Sequence, residues 1–164
     1  MIRQAQTDDV EELARVHVQA WRETYVGMLP QEYLDGLSVE RRRATWSEVL
    51  ERSLARVWVV EEQGRLVGLC AAGPNRAPPE SHPGEVGAIY LLRRARGRGL
   101  GRELMAGALA WLRAERLMPT LCWVLRENTA ARGFYQAVGG RLLAEREESV
   151  GGAPCVEVAY GWER

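Results

Sequence analysis

The sequence predicts an α/β fold in a single domain that spans residues 1–164. Three observations lead to this prediction. Segments with the three- and four-residue apolar spacing of amphipathic helices alternate with short runs rich in β-branched and aromatic residues. No linker and no internal repeat divides the chain. A chain of this length buries roughly 70% of its unfolded surface, so a sizeable core is expected without cross-links.

The first third of the chain is predicted to be mostly helical. Residues 2–6 form a short strand, and Thr7 caps a helix that runs to about Arg22. Acidic residues in the first turn of this helix complement its dipole. A short helical piece follows near 31–37, and Ser38 caps a further helix.

The middle of the chain is predicted to form a three-strand meander. The runs VWVVEE and RLVGLCAAG make a hairpin around Gln63-Gly64. Residues 74–83 hold four of the seven prolines and form a loop. The run EVGAIYLL, residues 85–92, is the next strand.

The remaining segments predict a helix, a strand, a second helix and two final strands. One apolar stripe runs from Leu100 and stops before Pro119, as expected for an amphipathic helix. Residues 120–126 are apolar on both faces, which is typical of a central strand. Asn128 caps a short helix, and the runs 141–147 and 154–162 complete the chain as strands.

Charge and composition exclude several classes of function. The 22 basic residues balance the 22 acidic ones, whereas proteins built to bind nucleic acid or an anionic membrane carry a clear positive excess. The three cysteines are widely spaced, form no CxxC pair and have no neighbouring histidine, so no metal site is predicted. No apolar leader or span is visible, and a cytoplasmic location is expected.

The stretch RRARGRGLGRELM, residues 93–105, follows a strand and opens a helix. Glycines at such a junction expose backbone N–H groups beside the positive end of the helix dipole, which is a phosphate site. A P-loop is excluded because the chain has no lysine. The spacing of Gly97, Gly99 and Gly101 differs from a dinucleotide fingerprint. That fingerprint, an RGG-type RNA segment and a basic helix start without a ligand remain the weaker alternatives.

The pattern R-x-x-G-x-G, formed by Arg96, Gly99 and Gly101, resembles the coenzyme A pyrophosphate loop of the GNAT superfamily of N-acetyltransferases. A second similarity follows in the run NTAARGFY. The resemblance covers nearly the whole chain, and the two motifs together are fairly specific. Many members have a proline before the arginine of the loop, where this chain has Arg93 and Arg94. The second motif comprises Asn128, Ala131, Phe134 and Tyr135.

The resemblance implies a mixed, mostly antiparallel sheet of about seven strands with helices on both faces and splayed central strands. It also implies acetyl-CoA as co-substrate, with Leu91 N–H polarising the thioester carbonyl. Main-chain contacts to pantetheine are expected from Tyr90, Leu91 and Leu92. The residues expected at the pyrophosphate are Arg96, Gly97, Arg98, Gly99, Leu100, Gly101 and Arg102. Asn128, Ala131 and Phe134 are expected beside the rest of the cofactor.

Two proton-transfer roles follow from an N-acetyltransferase reaction in which the amine attacks directly in a ternary complex. Tyr135 matches the position of a general acid for the departing thiolate, and its alternative role is a core aromatic. Glu85 is a candidate base if the face it shares with Gly87, Ile89 and Leu91 looks into the cleft, and its alternative is a solvated strand-end carboxylate. His17 and His82, the only histidines, have no identifiable partner in the sequence.

The acceptor is predicted only as an amine, either small or on a protein or peptide. Trp21 and Tyr25 fall where relatives shape the acceptor pocket, and core packing of Trp21 is the alternative. Members act on arylalkylamines, polyamines, amino acids, aminoglycosides and protein N-termini, and many form homodimers, although no segment here specifies an interface. A non-catalytic acetyl-CoA sensor and a nucleotide-dependent oxidoreductase are the rival functions.

Overall fold

The computed structural model describes residues 1–75, 77, 79 and 81–163. One seven-stranded sheet runs through it in the order β1-β2-β3-β4-β5-β7-β6. Residues 76, 78 and 80 of the predicted loop 74–83 lie outside the described residues. The strands are β1 Ile2–Gln4, β2 Arg56–Glu62, β3 Arg65–Pro74, β4 Gly84–Leu91, β5 Thr120–Leu125, β6 Arg141–Val150 and β7 Ala153–Trp162. The helices are α1 Val10–Tyr25, α2 Gln31–Asp35, α3 Val39–Glu51, α4 Leu100–Ala114 and α5 Thr129–Ala137.

The helix ends follow the capping chemistry of the sequence with one exception. Ser38 accepts a hydrogen bond from Arg41 N–H at 3.2 Å and caps α3. Thr7 is not a cap, because residues Thr7–Asp9 form a 3₁₀ turn in which the Asp9 carboxylate accepts from Gln6 N–H at 2.7 Å. The helix after it, α1, continues to Tyr25, one turn beyond the predicted end. None of the helices in the described part of the chain is long and apolar enough to cross a membrane.

Strand pairing opens a gap in the middle of the sheet. Neighbouring strands pair antiparallel except β4 and β5, which run parallel. These two strands pair only at Gly84 with Thr120 and Glu85 with Leu121. Beyond those pairs they diverge, so the predicted splayed central strands and the mostly antiparallel sheet are confirmed.

A β-bulge at Gly87 reverses the alternation of side chains along β4. Ala71 on β3 pairs with Ala88, whereas Ala72 pairs with Val86, which leaves Gly87 as the extra residue. Side chains that pair across strands share a face, so Glu85 lies on the same face as Ala88 and Tyr90. The prediction that Glu85 shares its face with Ile89 and Leu91 is therefore wrong, because a simple two-residue period ignores the bulge.

Helices cover both faces of the sheet, as predicted, and each face has its own core. The α1–α3 face buries Leu13, Ala14 and Trp46 against β2 and β3, and Tyr90 packs there. The other face buries Leu104 and Met105 of α4 together with side chains of β3, β5 and β7. Because β4 and β5 separate beyond their two paired residues, the gap between them opens to both faces of the sheet.

Candidate functional site

The gap between β4 and β5 holds a cavity of about 540 Å³. Its walls come from the end of α1, the free part of β4, the glycine-rich loop, β5 and the start of α5. Most of the sequence-predicted site residues line it. The lining residues include Tyr25, Tyr90, Leu91, Arg96, Gly97, Gly99, Gly101, Arg102, Asn128, Ala131, Phe134 and Tyr135. The predicted Glu85, Leu92, Arg98, Leu100 and Trp21 are not among the lining residues within the described chain.

The glycine-rich loop exposes backbone donors at the mouth of the cavity. Gly97 and Gly99 have φ of +74° and +84°, in the left-handed region that favours glycine. Gly99 is the N-cap of α4, and its carbonyl accepts the Glu103 N–H at 3.1 Å. The N–H groups of residues 100–102, which lie between Gly99 and Glu103, have no acceptor within the helix. The positive end of the α4 dipole therefore faces the cavity mouth. Exposed N–H groups and a helix N-terminus at this end of the cavity favour an anion over a cation.

The arginines of the loop differ in their hydrogen-bond and ion-pair partners. Arg96 lines the cavity, but its Nε donates to Leu91 O at 2.9 Å and its Nη2 to Thr24 Oγ1 at 3.0 Å. Arg102 also lines the cavity and reaches Ala137 O at 3.4 Å. Arg98 instead pairs with Glu62 at 2.8 Å, outside the cavity lining. Arg96 and Arg102 therefore supply the positive charge that faces the cavity.

The backbone of β4 presents alternate residues to the gap. Leu92 N–H donates to Val67 O at 2.9 Å, and Leu92 O accepts from Ala95 N–H at 2.8 Å, so both of its main-chain groups are in use. Hydrogen-bonding groups alternate sides along a strand, so Tyr90 also points its groups at β3 while Leu91 and Ile89 point theirs at the gap. The pantetheine contacts expected of Tyr90 and Leu92 stay predictions that this geometry does not support, because the edge that faces the gap belongs to Ile89 and Leu91.

The start of α5 supplies the wall opposite β4. Asn128 is buried, and its Oδ1 accepts from Ala131 N–H at 3.1 Å, which caps the helix. The cap leaves the amide Nδ2 of Asn128 as the remaining donor of that side chain. Gly101 lies against Phe134, because a Cβ built on Gly101 would meet the Phe134 ring at 3.5 Å. This contact joins α4 to α5 beneath the loop.

Tyr135 lines the cavity where it passes β5, next to Cys122. Burial raises the pKa of the Tyr135 hydroxyl well above its ordinary value, and the interaction with the neighbouring Cys122 thiol adds to the shift. Burial also raises the pKa of the Cys122 thiol to about 12. Both groups are thus neutral at physiological pH. The Tyr135 ring packs on Tyr160 and Trp162 of β7, with ring centroids 5.9 and 6.0 Å apart. The phenol is held rigidly with its proton in place.

Glu85 lies at the closed end of the gap, where β4 and β5 still pair through Glu85 and Leu121. Its half-buried side chain is on the α1–α3 face, beyond the bulge at Gly87. Gly87 is the first residue of β4 that lines the cavity. Glu85 therefore stands two residues from the cavity wall, on the face opposite α4 and α5.

An aromatic cluster closes the cavity on the α1–α3 face. The hydroxyl groups of Tyr25 and Tyr90 lie 3.2 Å apart. Trp21 contacts the Tyr25 ring edge-on with centroids 4.9 Å apart, and the Arg42 guanidinium lies 4.9 Å from the centre of Trp21. Tyr25 is thus a wall of the cavity, and Trp21 supports it from behind. Trp123, which the sequence analysis did not single out, lines the cavity under the Arg146 guanidinium at 4.0 Å.

Neither histidine touches the cavity among the described residues. His17 is buried, and its Nδ1 accepts from Trp46 Nε1 at 3.2 Å. Its ring stacks on Tyr90 with centroids 5.4 Å apart. His82 is buried beside Ser81, with its Nδ1 3.0 Å from the Ser81 Oγ. No group of three potential metal ligands occurs in the part of the chain that the structure describes.

Comparison with known proteins identifies the fold family. The acetyltransferase (GNAT) family matches residues 18–139. The uncharacterised N-acetyltransferase YuaI of Bacillus subtilis is 34% identical over 162 residues, which are 98% of this chain and 91% of that protein. The chain belongs to the GNAT acetyltransferase family. A probable N-acetyltransferase of Mycobacterium tuberculosis is 26% identical over 82% of this GNAT chain and 76% of its own.

Solved structures of GNAT-like proteins share the fold. The PaiA N-acetyltransferase of Thermoplasma acidophilum, in complex with coenzyme A, has a TM-score of 0.78 and 18% identity over 99% of this chain and 98% of its own. The ribosomal-protein-alanine N-acetyltransferase of Brucella melitensis has a TM-score of 0.76 and 21% identity over 100% and 99%. At these low sequence identities, the structural similarity is evidence that the proteins share the fold.

The predicted co-substrate of the family, acetyl-CoA, fits the residues present. The left-handed glycines and the first turn of α4 form a cradle in which a Cβ at Gly97 or Gly99 would meet nothing within 4 Å. That space can admit a pyrophosphate to the backbone donors. The edge of β4 that faces the gap offers the main-chain groups of Ile89 and the N–H of Leu91 to an amide-bearing arm, while Leu91 O accepts from Arg96. Acetyl-CoA is the co-substrate of the GNAT acetyltransferases, and this prediction is confirmed.

Proposed function

We propose that the protein transfers the acetyl group of acetyl-CoA to a primary amine by direct attack in a ternary complex. The observation that carries the proposal is the gap between β4 and β5, which has a phosphate cradle at one end and Tyr135 on its wall. When bound, acetyl-CoA supplies an activated acetyl thioester. The residues of the chain hold it, orient it and move protons around it.

The loop from Gly97 to Arg102 binds the pyrophosphate through backbone N–H groups, and Arg96 and Arg102 add positive charge. The N–H of Leu91 points into the gap and polarises the thioester carbonyl. A preorganised donor of this kind lowers a barrier by roughly 3 kcal/mol. Asn128 and Ile89 hold the arm of the cofactor on either side.

Tyr135 acts as the general acid that protonates the departing thiolate. Its raised pKa keeps the phenol protonated until a strongly basic sulfur develops beside it. Cys122 of β5 lines the cavity with Tyr135, and the interaction of the two side chains contributes to the raised pKa of the phenol.

Glu85 acts as the base that takes the proton of the attacking amine, through one or more waters. The bulge supports this role because it turns Glu85 to the α1–α3 face, the face that carries Tyr25. Glu85 stands outside the cavity lining, so direct contact with the amine is not part of the proposal. The same observation favours the second candidate function, a non-catalytic acetyl-CoA sensor.

The acceptor is proposed to enter between Tyr25 and Trp123 from the α1–α3 face. Both side chains line the cavity on that face, away from α4 and α5. The relatives act on different acceptors: two of them are mycothiol acetyltransferases, and a structural neighbour is a ribosomal-protein-alanine N-acetyltransferase. A small amine and a protein or peptide amine are both consistent with this entry. Free thiols at Cys70, Cys122 and Cys155 support a reducing, cytoplasmic setting.

The proposal is tested by thiol release from acetyl-CoA with a panel of amines. The panel contains an arylalkylamine, a polyamine, an amino acid, an aminoglycoside and a peptide with a free N-terminus. Amine-dependent release of thiol, with a matching acetylated product by mass spectrometry, supports the enzyme. Acetyl-CoA binding without turnover on any amine supports the sensor instead. Binding of NAD or NADP that acetyl-CoA does not displace supports an oxidoreductase and contradicts both.

A further inference from the structure

The C-terminal end of α1 is fastened to the segment that enters the glycine-rich loop. The Glu23 carboxylate accepts the Arg93 N–H at 2.6 Å, and Glu23 O accepts from the Arg93 guanidinium at 3.5 Å. Thr24 Oγ1 accepts from Arg96 Nη2 at 3.0 Å, and the Glu23 carboxylate lies 3.9 Å from the same nitrogen. Arg96 also holds the last residue of β4 through Leu91 O at 2.9 Å. We call these contacts of Glu23 and Thr24 the α1 clamp.

The α1 clamp joins the two ends of the cavity. On one side it holds Arg93 and Arg96, which lead directly into the phosphate cradle. On the other side it holds Glu23 and Thr24, which directly precede Tyr25, the aromatic wall of the acceptor side. The half-buried position of Glu23, with a side chain 22% exposed, strengthens a charged contact because water screens it less.

We propose that Glu23 and Thr24 are positioning residues that couple cofactor binding to the acceptor wall. The proposal rests on the proposed function of the cavity. A ligand in the cradle restricts the loop to the arrangement in which Arg93 N–H and the Arg96 guanidinium reach α1. The same arrangement fixes the end of α1 and the Tyr25 ring. The coupling is reciprocal: if the bound cofactor strengthens the binding of the acceptor, the bound acceptor strengthens the binding of the cofactor by the same factor.

The first test uses hydrogen exchange with free coenzyme A as the probe. In the wild type, coenzyme A slows amide exchange in residues 20–29, which end α1, as well as in the loop. Thr24→Val keeps the shape of the side chain and removes the hydroxyl, so coenzyme A still binds and still protects the loop but no longer protects 20–29. Thr24→Ser keeps the hydroxyl and restores the protection. Circular dichroism of each variant checks that it is folded.

The second test separates the kinetic constants. With the best amine from the panel, Thr24→Val and Glu23→Gln raise the KM for the amine roughly tenfold, the loss expected for one hydrogen bond to a charged group. The kcat changes far less, because Glu23 lies outside the cavity lining and the hydroxyl of Thr24, which does line the cavity, accepts from Arg96. Glu11→Gln is the matched control, since it removes an exposed ion pair with Arg15 on the same helix. Its kinetic constants equal those of the wild type.

Two results overturn the coupling without touching the proposed function. One is bound coenzyme A that protects the loop but not residues 20–29 of the wild type. The other is a Thr24→Val protein that keeps the protection of 20–29 and the wild-type KM. Failure of coenzyme A to bind the wild type in the same titration overturns the function, and the coupling with it.

Discussion

Tyr135 and Cys122 lie together in the wall of the β4–β5 cavity, where burial and the interaction with Cys122 raise the pKa of the Tyr135 hydroxyl. Both groups are buried and their pKa values are raised, so the phenol keeps its proton in this wall. A protonated phenol in the cavity wall is what protonation of a departing thiolate requires. This placement gives the acid assignment a basis that can be tested separately from packing.

Tyr135→Phe is expected to lower kcat by about 10²-fold or more, the contribution typical of a general acid. The affinity for acetyl-CoA is expected to change little, because the ring remains. Tyr160→Phe is the matched control: its ring packs on Tyr135, its hydroxyl accepts from Arg132 at 3.2 Å, and it lies outside the cavity lining. Steady-state kinetics on both variants decide the point. Equal turnover of Tyr135→Phe and the wild type would remove the acid role.

Two glycines of the α4 region are expected to respond in opposite directions to alanine. Gly99→Ala forces a side chain into the left-handed region at φ +84°, which costs about 1 kcal/mol of stability or more and distorts the cradle. Gly107→Ala, at an exposed position inside α4 where a Cβ meets nothing within 4 Å, is expected to stabilise by about 0.5–1 kcal/mol.

Urea unfolding measures the stability of both glycine variants, and calorimetry measures their affinity for acetyl-CoA. Only Gly99→Ala is expected to bind acetyl-CoA more weakly than the wild type. A Gly99→Ala protein with full affinity would show that the left-handed turn does not shape the anion site.

Glu85→Gln is expected to lower turnover and to flatten the loss of activity on acidification. The wild-type carboxylate must be ionised to accept a proton, whereas the amide never titrates. Glu147→Gln, at an exposed position on β6, is the control and should leave the pH profile unchanged. A Glu85→Gln profile identical to that of the wild type would leave a water or another residue as the base.

His17 is expected to make the fold less stable in mild acid. Burial, aided by the charge of Arg42, lowers the pKa of His17 to about 3. The unfolded chain takes up the proton near pH 6.5, so the free energy of unfolding falls as the pH drops below that value and levels off near 3. Between pH 7 and pH 5 the loss from this one group is about 2 kcal/mol.

A His17→Gln protein carries no titrating group at this position, and its amide can still accept from Trp46. Its free energy of unfolding in urea is therefore expected to fall less than that of the wild type between pH 7 and pH 5. An equal fall in both proteins would mean that His17 is not held neutral in the folded state.

The sequence predicts those parts of the site that depend on local chemistry. The turn at Gly97 and Gly99 and the cap at Asn128 are encoded by residues next to each other in the chain, and the structure has both. The mostly antiparallel seven-stranded sheet and its splayed central strands came from the family resemblance, and both are present. The turn and the cap can be predicted without knowing which strands are neighbours in the sheet.

What the sequence missed depends on register and on distant contacts. The face of Glu85 and the main-chain direction of Leu92 follow from the bulge at Gly87 and from the pairing with β3. A simple two-residue alternation of side chains along β4 predicts neither the bulge nor the pairing with β3. Arg96 matches the motif, but its guanidinium is held by Thr24, 72 residues earlier in the chain. No spacing rule links two such positions.

Titration of acetyl-CoA into the protein by calorimetry tests the central claim most directly, because the cavity between β4 and β5 is the common basis of every role assigned here. We expect saturable binding of one acetyl-CoA per chain that Gly99→Ala weakens and NAD does not displace. No binding of acetyl-CoA at millimolar concentration would contradict the account.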